Sequence, residues 1–582
     1  MKFEKINTVF RIFKYLKPFI PKTILVIFLM VTVMVINLIN PYFFKVAIDD
    51  YISNKDIRGL IIIGGILLLL NIIALVLSRI RIVEMGKITN KIVLNIRHEL
   101  YEHIQKLSFS FFDSRPVGKI LARVVNDVNS LEQLFSNSIT SLIPELLTLI
   151  FVAGIMFYMN YKLALASMII LPLLIFGLFL IESISRKRWM EYRNNRSELN
   201  AFTHEDISGI RVVKSFTAEN KTNRKFKFLT DKMMNSFVNA VKVNDWFWAM
   251  VFISWGIGSV LVFYLSVKMI DLNQVTVGTV VAFVGYIGMF WRPIMNLSNF
   301  YNSLVTNISA GERIFEILDT KPDIVNPKDA KIMPKIKGEV EFKNVTFAYD
   351  REIVLNNVSF KIKPGETIAL VGPTGAGKTT IVNLISRFYD PQKGQILIDG
   401  HDIKKVDLES LRSQMGIMLQ DTFLFSDTIK NNIRYGKLDA TDEEIIEAAK
   451  AVHAHDFIIK LEKGYNTDVN ERGVRLSIGE RQLISFARAL LANPRILILD
   501  EATSNIDTYT EKLVQDGIKK LLKGRTSFVI AHRLSTIRNA DRIFYIDNGE
   551  ILEVGNHEEL MAKKGHYYNL YISQFKFLEL GA

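Results

Sequence analysis

Eight consecutive residues, Gly372 to Thr379, run Gly-Pro-Thr-Gly-Ala-Gly-Lys-Thr. With Gly372, Gly377, Lys378 and Thr379 at fixed spacing, they form the pattern of a phosphate-binding loop. Thr367 to Val371 before them is an apolar run of strand length, and Ile381 to Ile385 after them keeps an apolar face at helical spacing. A strand that turns through glycines into a helix points backbone N–H groups and a positive helix start at an anion. In such a loop Lys378 reaches the β- and γ-phosphates of a nucleoside triphosphate, and the Thr379 hydroxyl is placed to ligate Mg2+. Thr374, Gly375 and Thr380 complete the candidate cradle.

Further residues could act on a triphosphate held there. The apolar run Ile496 to Leu499 ends in Asp500-Glu501, and the run Ser527 to Ile530 is followed closely by His532. A buried strand ending in Asp500 can bring a carboxylate beside the loop to hold Mg2+ through water. Glu501 can then polarise the attacking water, and His532 can contact the γ-phosphate and orient both. Such catalysis works mainly by positioning and electrostatics. The chain has no cysteine, which excludes disulfides, thiol nucleophiles and thiolate-held metals.

These groups need a scaffold, and the composition says that part of it lies in a membrane. The 582 residues exceed one compact core, and hydrophobic residues make up 49%. The mean hydropathy is +0.20 and the pI is near 9.4. The net charge of +13 fits cytoplasmic loops rich in Lys and Arg better than a nucleic-acid partner, and none is expected. Thr23–Phe44, Gly59–Ser78, Ile139–Tyr161, Leu163–Ile181, Trp246–Val267 and roughly Val277–Leu304 are six candidate spans of bilayer length. Tyr161-Lys162 is the expected turn between the third and fourth. The connections after spans two and four are long and basic, as at Arg186-Lys187-Arg188, so they and both chain ends are expected in the cytoplasm.

Apolar residues such as Ile92, Ile96, Leu100 and Ile104 recur at helical spacing, so the spans continue as long cytoplasmic hairpins. The hairpins break near Ser108–Gly118 and His204–Ile210, and the aromatics at the first tip call for a docking partner or a local apolar cluster. Residues 1–20 place Val9, Ile12, Phe13 and Leu16 on one face between basic residues, which suits a surface-lying elbow helix or a solvated tail. Glu145 and Arg292, each beside a proline within a span, either face a transport pathway or pair structurally. The expected layout is therefore the elbow at 1–20, an all-α six-helix transmembrane domain at 21–319 and a polar, proline-bearing linker at 320–337. An α/β nucleotide-binding domain follows at 338–582.

Several motifs in fixed order carry a more specific likeness. They are Tyr349, Gln420, Thr467–Gly473, Leu476-Ser477-Ile478-Gly479-Glu480, Ile496–Glu501, Ser504–Asp507 and His532. Phe111-Phe112-Asp113 with Gly118, and Glu205 to Phe216, add to them in the membrane half. With these, essentially the whole chain resembles a half-transporter of the ABC exporter superfamily, of the six-span type found among multidrug and lipid exporters. The resemblance implies that Tyr349 stacks on adenine and that Gln420 touches Mg2+ and water. It makes 496–501 the Walker B strand and His532 the switch histidine. Two such chains would hold ATP between their nucleotide domains, with Ser477 and Gly479 of one capping the nucleotide of the other.

In the family that cap reads LSGGQ, whereas here Ile478 replaces the first glycine and Glu480 the glutamine. Ile478 adds bulk and restricts the backbone. Glu480 brings a carboxylate towards a triphosphate, with repulsion expected unless it turns outward. A complete hydrolytic half-site beside a poor cap resembles one subunit of a heterodimer. The partner would be a different half-transporter with an intact LSGGQ-type signature and a degenerate Walker B region. The expected function is ATP-driven export of amphipathic small molecules across the cytoplasmic membrane. The alternatives are a homodimeric lipid flippase and an ATP-gated sensor of the same architecture. An importer is disfavoured by the fusion of both domains in exporter order. Glu501→Gln is expected to abolish most hydrolysis while leaving ATP binding intact, as measured by phosphate release beside a nucleotide-binding isotherm.

Overall fold

A computed structural model describes residues 2–137, 142–169, 171–272, 274–350, 352–418, 422–470, 473, 475–501, 508–531 and 534–579. The chain forms two compact units, one of Met1–Gln105 with Val117–Asp319, the other of Lys106–Pro116 with Thr320–Ala582.

The described regular elements of the first unit are helices joined by short turns. Lys17–Ile52, Ile57–Lys106 and Glu219–Asp271 are helical stretches long and apolar enough to cross a bilayer, and Ile143–Met159 and Val277–Met289 are shorter apolar helices. Helices prevail because hydrocarbon offers no water to the backbone, so each segment must satisfy its own N–H and C=O groups. The helices Ile57–Lys106 and Glu219–Asp271 have 50 and 53 residues. At about 1.5 Å per residue, both outrun a ~30 Å hydrocarbon core by more than half their length.

The turn between the third and fourth apolar runs differs from the expected one. It lies at Asn160, not at Tyr161-Lys162, because the Asn160 side chain caps a new helix at Tyr161–Met168, accepting from Lys162 N and Leu163 N. Farther along, a helix occupies Leu171–Ser208. Ile210–Ser215 is a short helix between Ser208 and the long helix that starts at Glu219. Ile207, Val212 and Phe216 around it are solvent-exposed.

Inside the unit, Met34, Leu38, Val152, Met156, Leu163, Val262, Phe283 and Tyr286 form a core. The fully buried Tyr286 keeps its hydroxyl satisfied by donating to Leu38 O at 2.9 Å. Asp49 accepts from Gly278 N at 2.8 Å and so caps the start of the helix Val277–Asp319 from another segment. Arg11, on the helix Lys2–Lys14, makes a bidentate pair with Asp319 at 2.6 and 2.7 Å, and Ile12 beside it is wholly buried. Asp127 is buried and takes both Arg123 at 3.0 Å and Arg313 at 2.5 Å.

The described residues of the second unit carry ten strands: β1 (Val340–Tyr349), β2 (Glu352–Ile362), β3 (Thr367–Val371), β4 (Lys393–Ile398), β5 (His401–Asp402), β6 (Met415–Met418), β7 (Ile496–Glu501), β8 (Thr526–Ala531), β9 (Arg542–Asp547) and β10 (Glu550–Gly555). They form one sheet in the order β2-β1-β4-β5 and another in the order β10-β9-β3-β8-β7-β6. In the larger sheet, β3 and β8 are apolar without alternation because both faces are covered. Ala369, Val371, Val529 and Ala531 belong to one core cluster. Ile368, Leu370, Phe528 and Ile530 point the other way into a second.

Replacing Asp127 by Ala leaves two guanidinium groups without their buried acceptor. The loss is expected to be about 2 kcal/mol, below the ~3–5 of a fully buried pair because Arg313 is partly exposed. A lower thermal unfolding midpoint in detergent would report it.

Candidate nucleotide site

The phosphate loop follows β3, and its shape depends on backbone that only glycine adopts comfortably. Gly372 sits at φ +145°, and a Cβ there would lie 2.0 Å from Ile546 O. Gly377 sits at φ +102° and opens the helix Lys378–Ile385. The Lys378 ammonium turns back to donate to Gly372 O at 2.8 Å and Pro373 O at 2.7 Å, which holds the loop in a ring. Burial lowers its pKa, and the Asp500 carboxylate opposes that effect. Thr374, Gly375 and Thr379 are exposed on the loop, whereas Thr380 is buried behind it.

Sheet register brings Asp500 to this loop. β8 lies between β3 and β7, with Leu370 opposite Ile530 and Ile530 opposite Asp500. The carboxyl ends of three parallel strands therefore meet at one edge, the usual place for a ligand in an open α/β sheet. Glu501 pairs with Ala531 at the next step of the ladder. The Glu501 side chain, Gln420, His532 and Ser504–Asp507 lie outside the described residues.

A hydroxyl and a carboxylate are hard oxygen donors of the kind Mg2+ prefers beside substrate phosphates. Among the described residues no cluster of three His, Asp or Glu forms a ready-made metal cage. As hard oxygen donors, Thr379 and Asp500 suit a metal that keeps water and phosphate ligands. Tyr349 ends β1 half-buried, its ring edge-on to Phe347 at 4.8 Å and to Tyr389 at 5.1 Å.

At Ser477 a local bond involves Glu480. Ser477 is the N-cap of the helix Ile478–Ala492, and its hydroxyl accepts from Glu480 N at 3.2 Å. The Glu480 carboxylate returns to Ser477 N at 2.8 Å, closing a capping box. Glu480 is therefore held on its own helix start. It satisfies a helix donor and sets a negative charge on the helix start, which its dipole favours. The pattern Ser-x-x-Glu ahead of an apolar run carried that signal in the sequence. Gly479 is buried, while Ile478 is 40% exposed.

With the loop, the carboxylate edge and the two units in view, comparison with known proteins identifies the class. Residues 23–294 match the ABC transporter transmembrane region and residues 355–504 the ABC transporter domain. The chain belongs to the ABC transporter family, as an exporter half-transporter whose ATP-binding domain couples ATP hydrolysis to transport. It is 44% identical to the uncharacterized ABC transporter ATP-binding protein YknV of Bacillus subtilis, over 97% of this chain and 94% of that protein. It is 41% identical to an ATP-dependent lipid A-core flippase of Syntrophus aciditrophicus, over 98% and 95% respectively. A bacterial Atm1-family ABC exporter solved with ATP bound matches at a TM-score of 0.76 and 27% identity, covering 96% of this chain and 98% of that one.

Gly372→Ala tests the close approach at Ile546. The added methyl group meets backbone rather than a yielding side chain, so ATP binding should fall at least about tenfold. Equilibrium binding of a fluorescent ATP analogue to the purified chain measures it.

Proposed function

We propose that this chain is one half of a heterodimeric exporter of amphipathic molecules in the cytoplasmic membrane, with both termini and the nucleotide domain in the cytoplasm. Residues 1–20 form the elbow, 21–319 the transmembrane domain, 320–337 the linker and 338–582 the nucleotide domain. Glu501 polarises the attacking water, while His532 and Gln420 orient it towards the γ-phosphate. Thr379 and Asp500 hold Mg2+, with Gln420 adding to its shell. Lys378 and the loop N–H groups stabilise charge on the phosphates. Tyr349 stacks on adenine.

The capping box at Ser477–Glu480 carries the heterodimer reading. In a dimer, this helix start would face the triphosphate bound by the partner. A glutamine at position 480 can make the same bond to Ser477 N without charge. A carboxylate about 5 Å from a phosphate charge costs about 2–3 kcal/mol per pair at an effective dielectric of 20–40. Ile478 adds bulk at the same face. The partner's nucleotide is then weakly capped and slowly hydrolysed, while the site built on Lys378, Asp500 and Glu501 depends on the partner's signature. The exposed Ile207, Val212 and Phe216 are available to the partner's nucleotide domain.

A cavity of about 320 Å³ in the first unit supports an amphipathic substrate. Thioethers of Met30, Met34 and Met289 share it with Asn37, Arg81 and Glu145. Glu145 accepts from Asn296, and Arg81 Nε is buried without a hydrogen-bond partner among the described residues. Flexible, polarisable walls with a few fixed charges suit varied apolar bodies carrying a polar head. A homodimeric flippase is the second reading, favoured by the 41% identity to a lipid A-core flippase.

The purified chain alone, in lipid nanodiscs, should show little ATPase stimulation by amphiphiles. Ile478→Gly with Glu480→Gln should raise its turnover at least about tenfold, in line with the repulsion removed. Brisk stimulated turnover by the unaltered chain alone would refute the heterodimer in favour of the homodimer.

A further inference from the structure

The helix Phe109–Asp113, which follows the helix Ile57–Lys106 in the chain, packs within the same unit as the nucleotide site. Two of its contacts fall on neighbouring residues, Phe388 and Tyr389, of the segment Phe388 to Gln392. The Phe109 ring stacks on Phe388 with centroids 4.1 Å apart. The Tyr389 hydroxyl donates to the Asp113 carboxylate. Two hydrogen bonds flank these contacts. Ser110 Oγ donates to Asp323, and Ser108 Oγ accepts from Ile324 N at 3.0 Å.

The same segment also holds the end of β1. On the β4 side the ladder stops at Thr346 opposite Lys393, and the β1–β2 register shifts between Phe347 and Ala348. Beyond that point the Gln392 side chain takes the place of a strand. Its amide nitrogen donates to Ala348 O and its amide oxygen accepts from Ala348 N, both at 2.9 Å. Gln392 N donates to Thr346 O at 3.1 Å. The Tyr389 ring stands edge-on to Phe347 at 5.6 Å and to Tyr349 at 5.1 Å. A cavity of about 410 Å³ borders Asp113, Tyr349 and Tyr389. Both tyrosines are only partly buried where they pack against the domain core, so these few bonds add to that packing in setting where the Tyr349 ring stands.

We propose that Tyr389 and Gln392 are positioning residues for the Tyr349 ring, and that through them adenine binding depends on how the Phe109–Asp113 helix is seated. The inference rests on the reading of Tyr349 as the adenine platform. Gln392 fixes the backbone that carries the ring, and Tyr389 fixes the ring's edge. Asp113 fixes Tyr389, whose burial and carboxylate partner keep its hydroxyl protonated well above neutral pH. Linkage makes the effect reciprocal: if seating the helix favours ATP, ATP favours the seated helix by the same factor. The adenine end of the nucleotide, and not only its phosphates, then reports to the Phe109–Asp113 helix.

The test uses the full-length chain in lipid nanodiscs, with dissociation constants for Mg-ATP and for Mg-tripolyphosphate, which has no base. Tyr349→Ala should weaken ATP about tenfold, in the range of a lost stacking contact, and leave tripolyphosphate unchanged. Asp113→Ala and Tyr389→Phe, neither of which removes a ring, should each weaken ATP about three- to tenfold with tripolyphosphate unchanged. The double variant should match either single one, because both break the same link. Gln392→Glu, which loses the donor to Ala348 O, should give the same selective loss. Multiplicative effects of Asp113→Ala and Tyr389→Phe, parallel losses for tripolyphosphate, or an unchanged ATP constant in these variants would each overturn the proposal. If Tyr349→Ala itself left ATP unaffected, the adenine reading would fail first and the inference with it.

Discussion

The nucleotide domain depends on one alignment: Leu370, Ile530 and Asp500 lie side by side across three parallel strands. Strands sit about 4.8 Å apart, so this register places a carboxylate about 10 Å across the sheet from the strand that feeds the phosphate loop. A slip of one residue would turn every side chain of β7 to the opposite face and carry Asp500 away from Lys378. Burial on both faces prevents that slip. Two separate core clusters claim alternate residues of β3 and β8, and neither could accept the other's set without leaving voids.

Lys378 shows how the loop uses that alignment. Its ammonium binds two carbonyls of its own loop while the Asp500 charge offsets the cost of burying it. The loop thereby keeps its curvature through bonds that a triphosphate can replace with stronger ones between opposite charges. Glu480 follows the same logic at another helix start, with a different result. Its bond to Ser477 stabilises the helix and sets a negative charge on the dipole end that would otherwise attract phosphate. One residue thus serves folding at a helix start whose charge the proposed heterodimer reading turns on.

The membrane unit obeys a different constraint. Its helices are long because hydrocarbon forbids unpaired backbone, and its polar groups are satisfied one at a time. Tyr286 reaches a carbonyl, Asp49 caps a neighbouring helix, and Asp127 gathers two arginines. Such point contacts fix helices relative to one another without a hydrophobic force between them, since lipid tails are as apolar as the side chains.

Much of this was legible in the residue order alone. Spacing at Gly372–Thr379, apolar runs ending in Asp500 and preceding His532, and charge-free stretches of bilayer length carry local chemistry, and local chemistry is what periodicity records. The helix break at Asn160 and the capping box at Ser477 were also written there, as an acceptor side chain ahead of a helical run. Tertiary structure alone decided the rest, because those contacts join residues far apart in sequence. No pattern announces that Gln392 would finish β1, that Tyr389 would stand between Asp113 and Tyr349, or that Ile546 would leave no room for a methyl group at Gly372. A motif states which groups can react; only packing across hundreds of residues determines what holds them and what they can sense.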